Sequence, residues 1–114
     1  MKKRNIVKTK RDFNNIINKG ICIKNKYYVI YSLDNNKDYD CFGISVGKKV
    51  GNAVIRNKYK RKIRSIIDMY RKDFVNGKDY IIILRSSALS ISFEEMKESL
   101  ILLLRKGAKN EENK

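Results

Sequence analysis

The sequence predicts one α+β domain, an α/β sandwich in the order helix, strands, helix, strand, helix, built on a four-stranded sheet. Three observations predict it. Several segments carry apolar residues at helical spacing, whereas Ile21 to Leu33 and Asp79 to Leu84 are dense in β-branched and aromatic residues. A strand-like segment stands on each side of the longest helical one, the pattern of a crossover unit. At 114 residues the chain has the length of one domain with a modest core.

Residues 1–8 read as a basic, mobile arm. Thr9 is placed to cap the first helix, with Asp12 completing a capping-box pattern. Phe13, Ile16 and Ile17 share one face of that helix, and Gly20 is a natural stop. Ile21 to Leu33 reads as extended, and two strands meeting near Lys24, Asn25 and Lys26 bring the sheet to four. Within it, Tyr27, Val29, Tyr31 and Leu33 alternate onto one face and Tyr28 and Ile30 onto the other. Asp34 to Asp40 is a polar turn. Cys41 to Val46 alternates, with Phe42, Ile44 and Val46 on one side.

A loop from Gly47 to Gly51 carries Lys48 and Lys49. Asn52 can cap the long helix, which is expected to run to about Phe74. Its apolar stripe is Ile55, Tyr59, Ile63, Ile66, Tyr70 and Phe74. The short apolar run ending at Leu84 suits a strand buried on both faces, parallel to Cys41–Val46 if the two are neighbours. Ser92 and Glu95 form a second capping box for the last helix. Phe93, Met96, Leu100, Leu103 and Leu104 are its buried stripe, and Gly107 is expected to close it. Residues 108–114 read as a mobile polar tail.

Composition narrows the function. Lys and Arg number 27 against 12 Asp and Glu, a formal net charge of +15. Self-repulsion of that size points to a polyanionic partner, and nucleic acid is the commonest. A coding bias toward Lys, Asn and Ile does not explain why no acid lies between Ile44 and Ile67. No run is apolar for long enough to span a bilayer, and no signal core follows the basic N-terminus. A cytoplasmic location is therefore expected. Cys22 and Cys41 fit no metal or redox spacing, and the chain has no His. Both cysteines read as small buried residues of a reducing compartment, a disulfide between them being the lesser alternative.

The polar face of the long helix holds the sharpest signal. Arg56, Lys60 and Arg64 are spaced four apart, with Asn57 and Arg61 beside them and Lys58 and Lys62 widening the patch. From Arg56 to Lys72 there are eight basic residues and one acid, Asp68. An ordinary solvated face would mix signs, because like charges four apart destabilise a helix. Arg offers a fork that matches phosphate, and Asn can both donate and accept. The preceding glycines allow backbone amides to approach an anion at the helix N-terminus, although the pattern is not a nucleotide-binding loop. The tyrosines of the extended segment, near Phe13, are a candidate stacking platform for unpaired bases.

The run Gly43-Ile-Ser-Val-Gly-Lys-Lys-Val-Gly-Asn-Ala-Val-Ile-Arg-Asn-Lys-Tyr-Lys-Arg-Lys-Ile-Arg64 closely resembles the signature of the bacterial ribonuclease P protein subunit. The flanking features follow that family's order over almost the whole chain. The resemblance implies a protein cofactor of a catalytic RNA that removes the 5′ leader of precursor tRNA. Magnesium would be bound by the RNA, with no cofactor on the protein, no membrane and no protein partner required. It assigns RNA contact to Lys48, Lys49, Asn52, Arg56, Asn57, Lys58, Lys60, Arg61 and Arg64. It assigns a leader-binding cleft to Phe13, Ile17 and Tyr31, and makes the crossover the uncommon left-handed kind, against the general rule. Lys58 stands where the family usually has Arg, and Ile17 where it tends to have an aromatic ring.

Three other readings compete. A ribosomal or other structural RNA-binding protein would share the charge and size. An autonomous nuclease would need acid–base or metal-binding groups, and only Asp34, Asp38 and Asp40 cluster, in a turn where solvated acids are the norm. A membrane-surface protein would use the same amphipathic helix, but its apolar stripe is needed to cover the sheet.

Overall fold

A computed structural model describes residues 2–73 and 76–112, with side chains through Gly107. Its elements are α1 (Lys10–Lys19), β1 (Ile21–Lys24), β2 (Tyr28–Asp34), β3 (Cys41–Val46), α2 (Ala53–Met69), β4 (Lys78–Leu84) and α3 (Phe93–Glu112). Short 3-10 turns lie at Lys3–Asn5, Arg71–Asp73 and Ser86–Ser90. The expected α+β order is observed.

The four strands lie in the order β1-β2-β4-β3. β1, β2 and β4 pair antiparallel, and β3 pairs parallel with β4, so α2 is the crossover. Asn25 makes the β1–β2 turn: its Oδ1 accepts from the amides of Tyr27 and Tyr28, both at 2.9 Å. The three N-caps anticipated above are made. Thr9 Oγ1 accepts from Asp12 N–H at 3.1 Å, Asn52 Oδ1 from Ile55 N–H at 3.1 Å, and Ser92 Oγ from Glu95 N–H at 3.2 Å.

Both faces of the sheet are covered. On one, α2 and α3 supply Ile63, Ile66, Ile67, Met96, Leu100 and Leu104 against Tyr28, Ile30, Phe42, Tyr80 and Ile82. The Tyr28 hydroxyl donates to Met96 O at 3.1 Å, so this buried phenol has its partner. On the other, α1 and the N-terminal segment bring Val7 and Ile16 onto Cys41 and Ile81, with Phe13, Ile17, Tyr31 and Leu33 packed around them. Gly43 lets α1 come this close. A Cβ there would stand 2.5 Å from Phe13 Cζ and 2.7 Å from Ile81 Cδ1.

Five expectations need correction. Residues 2–8 are tied down rather than free: Val7 N–H donates to Phe42 O at 2.9 Å, and Ile6 bridges Phe42 in parallel, which covers the open edge of β3. The α2 helix proper stops at Met69 and tightens into the Arg71–Asp73 turn, where i→i+3 bonds satisfy its last carbonyls; Phe74 lies outside the described residues. Gly107 does not end α3, which continues to Glu112. A Cβ on it would meet Ile23 Cδ1 at 2.5 Å, so glycine serves close packing on β1. The tail expected at 108–114 is helical through Glu112, and its last two residues lie outside the described ones. Cys22 is exposed; only Cys41 is buried, and both are free thiols.

Asp40 is the other departure. A solvated turn residue was expected, yet it is fully buried. Its Oδ1 accepts from the amides of Asn76 at 3.1 Å and Lys78 at 2.9 Å, joining the start of β3 to the start of β4. Burial pushes its carboxyl above the ordinary range, against the pull of those amides.

Two stability outcomes follow. Gly43→Val is expected to cost about 1–3 kcal/mol in urea unfolding, because the Phe13 and Ile81 side chains must shift to admit the new Cβ; adding Phe13→Ala should recover part of the loss. Asp40→Ala is expected to cost about 1–3 kcal/mol per amide left without a partner. The folded Asp40 holds its proton to higher pH than the unfolded chain does. Its contribution therefore falls as pH rises from the ordinary carboxylate range to the raised value. The stability gap between wild type and Asp40→Ala should accordingly be wider at acidic pH, as paired urea titrations would measure.

Candidate nucleic-acid interface

The basic helix displays its charges as its spacing implies. Asn57, Lys58, Arg61 and Arg64 are exposed, and Arg56 and Lys60 are half-buried. Among the described residues none of these cations is paired with a carboxylate. Lys62 differs from its neighbours: its ammonium lies 4.7 Å from the centroid of the Tyr59 ring. Lys48, Lys49 and Asn52 are also exposed, in the loop that closes with Val50 N–H on Gly47 O at 3.1 Å. Val50 is buried and anchors that loop.

The first turn of α2 extends beyond the cover of the sheet. Ile55, expected to begin the buried stripe, is 39 % exposed, and Val54 is 75 % exposed. Burial becomes complete only at Ile63, Ile66 and Ile67. The overhang leaves Asn52 through Lys58 accessible around the helix N-terminus. Arg56 is the exception in detail. Its Nε is buried and has no hydrogen-bond partner among the described residues, a donor held out of water.

Phe13, Ile17 and Tyr31 do come together. All three are half-buried in the cluster on the α1 face of the sheet. Tyr31 pairs across β1–β2 with Cys22, and the negative charge that this neighbouring sulfur can take up pushes the Tyr31 phenol above its ordinary value. The tyrosine faces also resolve: Tyr28 and Ile30 are core, whereas Tyr31 and Leu33 face α1. The two candidate surfaces are therefore on different layers. They meet at β3, whose Gly43 underlies Phe13 and whose C-terminal end feeds the Gly47–Gly51 loop.

Asp34 pairs with Lys78 at 2.9 Å, Asp40 is taken by backbone amides, and among the described residues no three Cys, Asp or Glu side chains converge. None of the helices in the described residues is long and apolar enough to cross a membrane.

Comparison with known proteins gives the family and supports the fold. A sequence model of the family Ribonuclease P matches residues 1–108. The chain belongs to the ribonuclease P protein family. The ribonuclease P protein component of Bacillus velezensis is 45 % identical over 107 residues, covering 93 % of this chain and 91 % of that protein. That of Mycoplasma mycoides is 42 % identical, covering 92 % and 97 %. Among solved structures, a Staphylococcus aureus RNase P protein mutant with defective mRNA degradation activity superposes with a TM-score of 0.85 at 36 % identity, covering 90 % of this chain and 87 % of that one. The RNase P protein of Thermotoga maritima gives 0.80 at 33 % identity, covering 87 % and 94 %.

Sequence reasoning missed Gly43 as a positioning residue and Cys22 as the neighbour of Tyr31. The first had a signal, a glycine inside an otherwise apolar strand. The second had none, because register across β1–β2 depends on the turn that Asn25 forms.

Cys22 offers a direct probe of the α1 face. A bulky maleimide on this exposed thiol should change the environment of Tyr31 while leaving the unfolding free energy within about 0.5 kcal/mol of the unlabelled protein, as for other surface changes; Tyr ring NMR signals would report it.

Proposed function

We propose that this chain is the protein cofactor of ribonuclease P, binding the catalytic RNA and the 5′ leader of precursor tRNA in the cytoplasm. The single observation that carries the proposal is the exposed basic face of α2, whose cations are paired with no carboxylate among the described residues, in a chain of this family with a net charge of +15. Exposed Arg61 and Arg64, with Asn57, present forks and amides to an RNA backbone. The orphaned Nε of Arg56 adds a donor that an anionic partner would satisfy, removing a penalty of about 1–3 kcal/mol. Lys58 contributes charge without a fork. Lys48, Lys49 and the capped N-terminus at Asn52 extend the same surface.

The leader is assigned to the α1 face. Phe13 and Tyr31 present aromatic area there, suited to stacking an unpaired base, and Ile17 supplies an apolar wall without a ring. Chemistry is assigned to the RNA subunit, with magnesium held there. The protein's own part is to position the leader and to offset phosphate repulsion, which should lower the magnesium needed for assembly. A structural RNA-binding protein with no processing role is the alternative reading.

Reconstitution tests the proposal. With a bacterial ribonuclease P RNA, precursor tRNA and low magnesium, the chain should stimulate leader removal; no stimulation would leave the alternative standing. Arg61→Ala and Arg64→Ala should weaken assembly with the RNA while moving the unfolding midpoint little. Affinity should fall by roughly 0.7–0.9 log units per log unit of salt for each phosphate contact. Tyr31→Ala should reduce the preference of the assembled enzyme for precursor over mature tRNA by about tenfold, if one stacked base is worth 1–3 kcal/mol. Equal loss for both substrates would argue against the leader assignment.

A further inference from the structure

The helix that carries Phe13 is held unequally at its two ends. Of the residues of α1, only Ile16 is buried. The C-terminal end is fixed. The Gly20 amide donates to Ile16 O at 2.7 Å, a Cβ on Gly20 would stand 2.7 Å from Ser32 O, and the chain enters β1 at the next residue. The first turn, by contrast, borders open space. Thr9 and Asp12 line a cavity of about 360 Å³, together with Tyr39, Cys41 and Asp79. α1 is therefore a lever pinned at Gly20, and its other end is set by the segment that leads into it.

That segment is fastened beyond its edge pairing. Ile6 and Val7 cover the edge of β3 through Phe42. Arg4 and Asn5 reach further. Asn5 Nδ2 donates to Asp40 O at 2.7 Å, and Cys41 Sγ donates to Arg4 O at 3.2 Å. The Arg4 guanidinium lies 4.5 Å from the centroid of the Tyr39 ring. Residues 39–41 thus receive residues 4 and 5. The receiving side is rigid, because the buried Asp40 carboxylate accepts from the Asn76 and Lys78 amides. Among these contacts the Asn5 bond is the shortest, and its side chain is half-buried, whereas Arg4 is exposed.

Small movements of this lever matter. Phe13 lies seven residues before Gly20, about 10 Å along the helix axis at about 1.5 Å per residue. A tilt of about 5° at the pin moves its ring by about 1 Å over that length. Gly43 admits the ring so closely that a Cβ there would stand 2.5 Å from Phe13 Cζ. Opening such a contact by about 0.5–1 Å forfeits a quarter to a half of its dispersion energy. We propose that Asn5 is a positioning residue: its bond to Asp40 O holds the N-terminal end of α1 and so sets the height of Phe13 over β3. Asn5 acts through Phe13 and makes no contact with RNA itself. The consequence for the enzyme rests on the assignment of Phe13 to the leader made above.

The test compares Asn5→Asp and Asn5→Gln with the wild type in the full chain. Asn5→Asp keeps the shape, removes the donor and sets a carboxylate against the Asp40 carbonyl; Asn5→Gln keeps a donor amide. The NOE between the Gly43 Hα protons and the Phe13 ring reads the height of the ring. Amide shifts of Ile82 and Leu100, in the core on the other face of the sheet, confirm that each variant is folded. A tenfold shift in the latch equilibrium, about 1.4 kcal/mol, takes a latch closed about 90 % of the time to about half. In Asn5→Asp the NOE should therefore fall about twofold. In the reconstituted enzyme the preference for precursor over mature tRNA should fall by the same factor, with affinity for the catalytic RNA and for mature tRNA unchanged. Asn5→Gln should restore both. An unchanged NOE in Asn5→Asp would overturn the proposal, as would an equal loss of affinity for precursor and mature tRNA. A weakened NOE with the precursor preference intact keeps Asn5 as the positioner of Phe13 and sinks the leader assignment instead.

Discussion

Ile81 and Ile82 are adjacent in the chain, and each is fully buried, in a different core. That is possible only because β4 is interior to the sheet and successive strand residues point to opposite faces. Everything else is arranged around this two-sided strand. α2 and α3 cover the Ile82 side, and α1 covers the Ile81 side. A register slip of one residue in β4 would exchange the two sets, and each face would then meet the wrong partners. Asp40 guards that register: its carboxylate ties Asn76 and Lys78, the residues that lead into β4, to the start of β3.

The same architecture separates charge from stacking area. α2 follows directly from β3 and packs on one face, so its basic surface points away from the sheet. α1 crosses the other face, so Phe13 and Tyr31 are gathered there. β3 links the two, with Gly43 under Phe13 and its C-terminal end leading into the loop before α2. The N-terminal segment seals the outer edge of β3 by pairing Ile6 with Phe42, which removes an aggregation-prone edge and fixes Arg4 beside Tyr39. A basic arm thus becomes part of the folded surface, and its cations become directed ones.

Stability here does not come from the surface ion pairs. Arg105 with Asp73 and Lys97 with Glu94 are solvent-accessible and worth little. Lys78 with Asp34 is more sheltered on the lysine side, but its acid is largely exposed. The cores on either side of β4 carry the fold, and the excess positive charge opposes it. A polyanion bound to α2 would relieve that opposition, which couples folding stability to partner binding.

The elements were legible in the residues because local rules decide them. Thr9, Asn52 and Ser92 cap helices through bonds made within three residues, and alternation marks β3 and β4. The basic face of α2 was legible for the same reason, since positions four apart on a helix are neighbours whatever surrounds them. What the residues alone left undecided was long-range. The arm at residues 2–8 looks mobile until the edge of β3 is beside it. Gly107 looks like a stop until Ile23 lies against it. Asp40 looks like a solvated turn acid until the start of β4 arrives to use it. The sequence by itself determined one α+β domain with a basic helix; only the tertiary structure decided which tyrosine face was core, where the cations were pinned, and that the two candidate surfaces share β3. Each of those depends on contacts between residues far apart in the chain, and no local pattern encodes them.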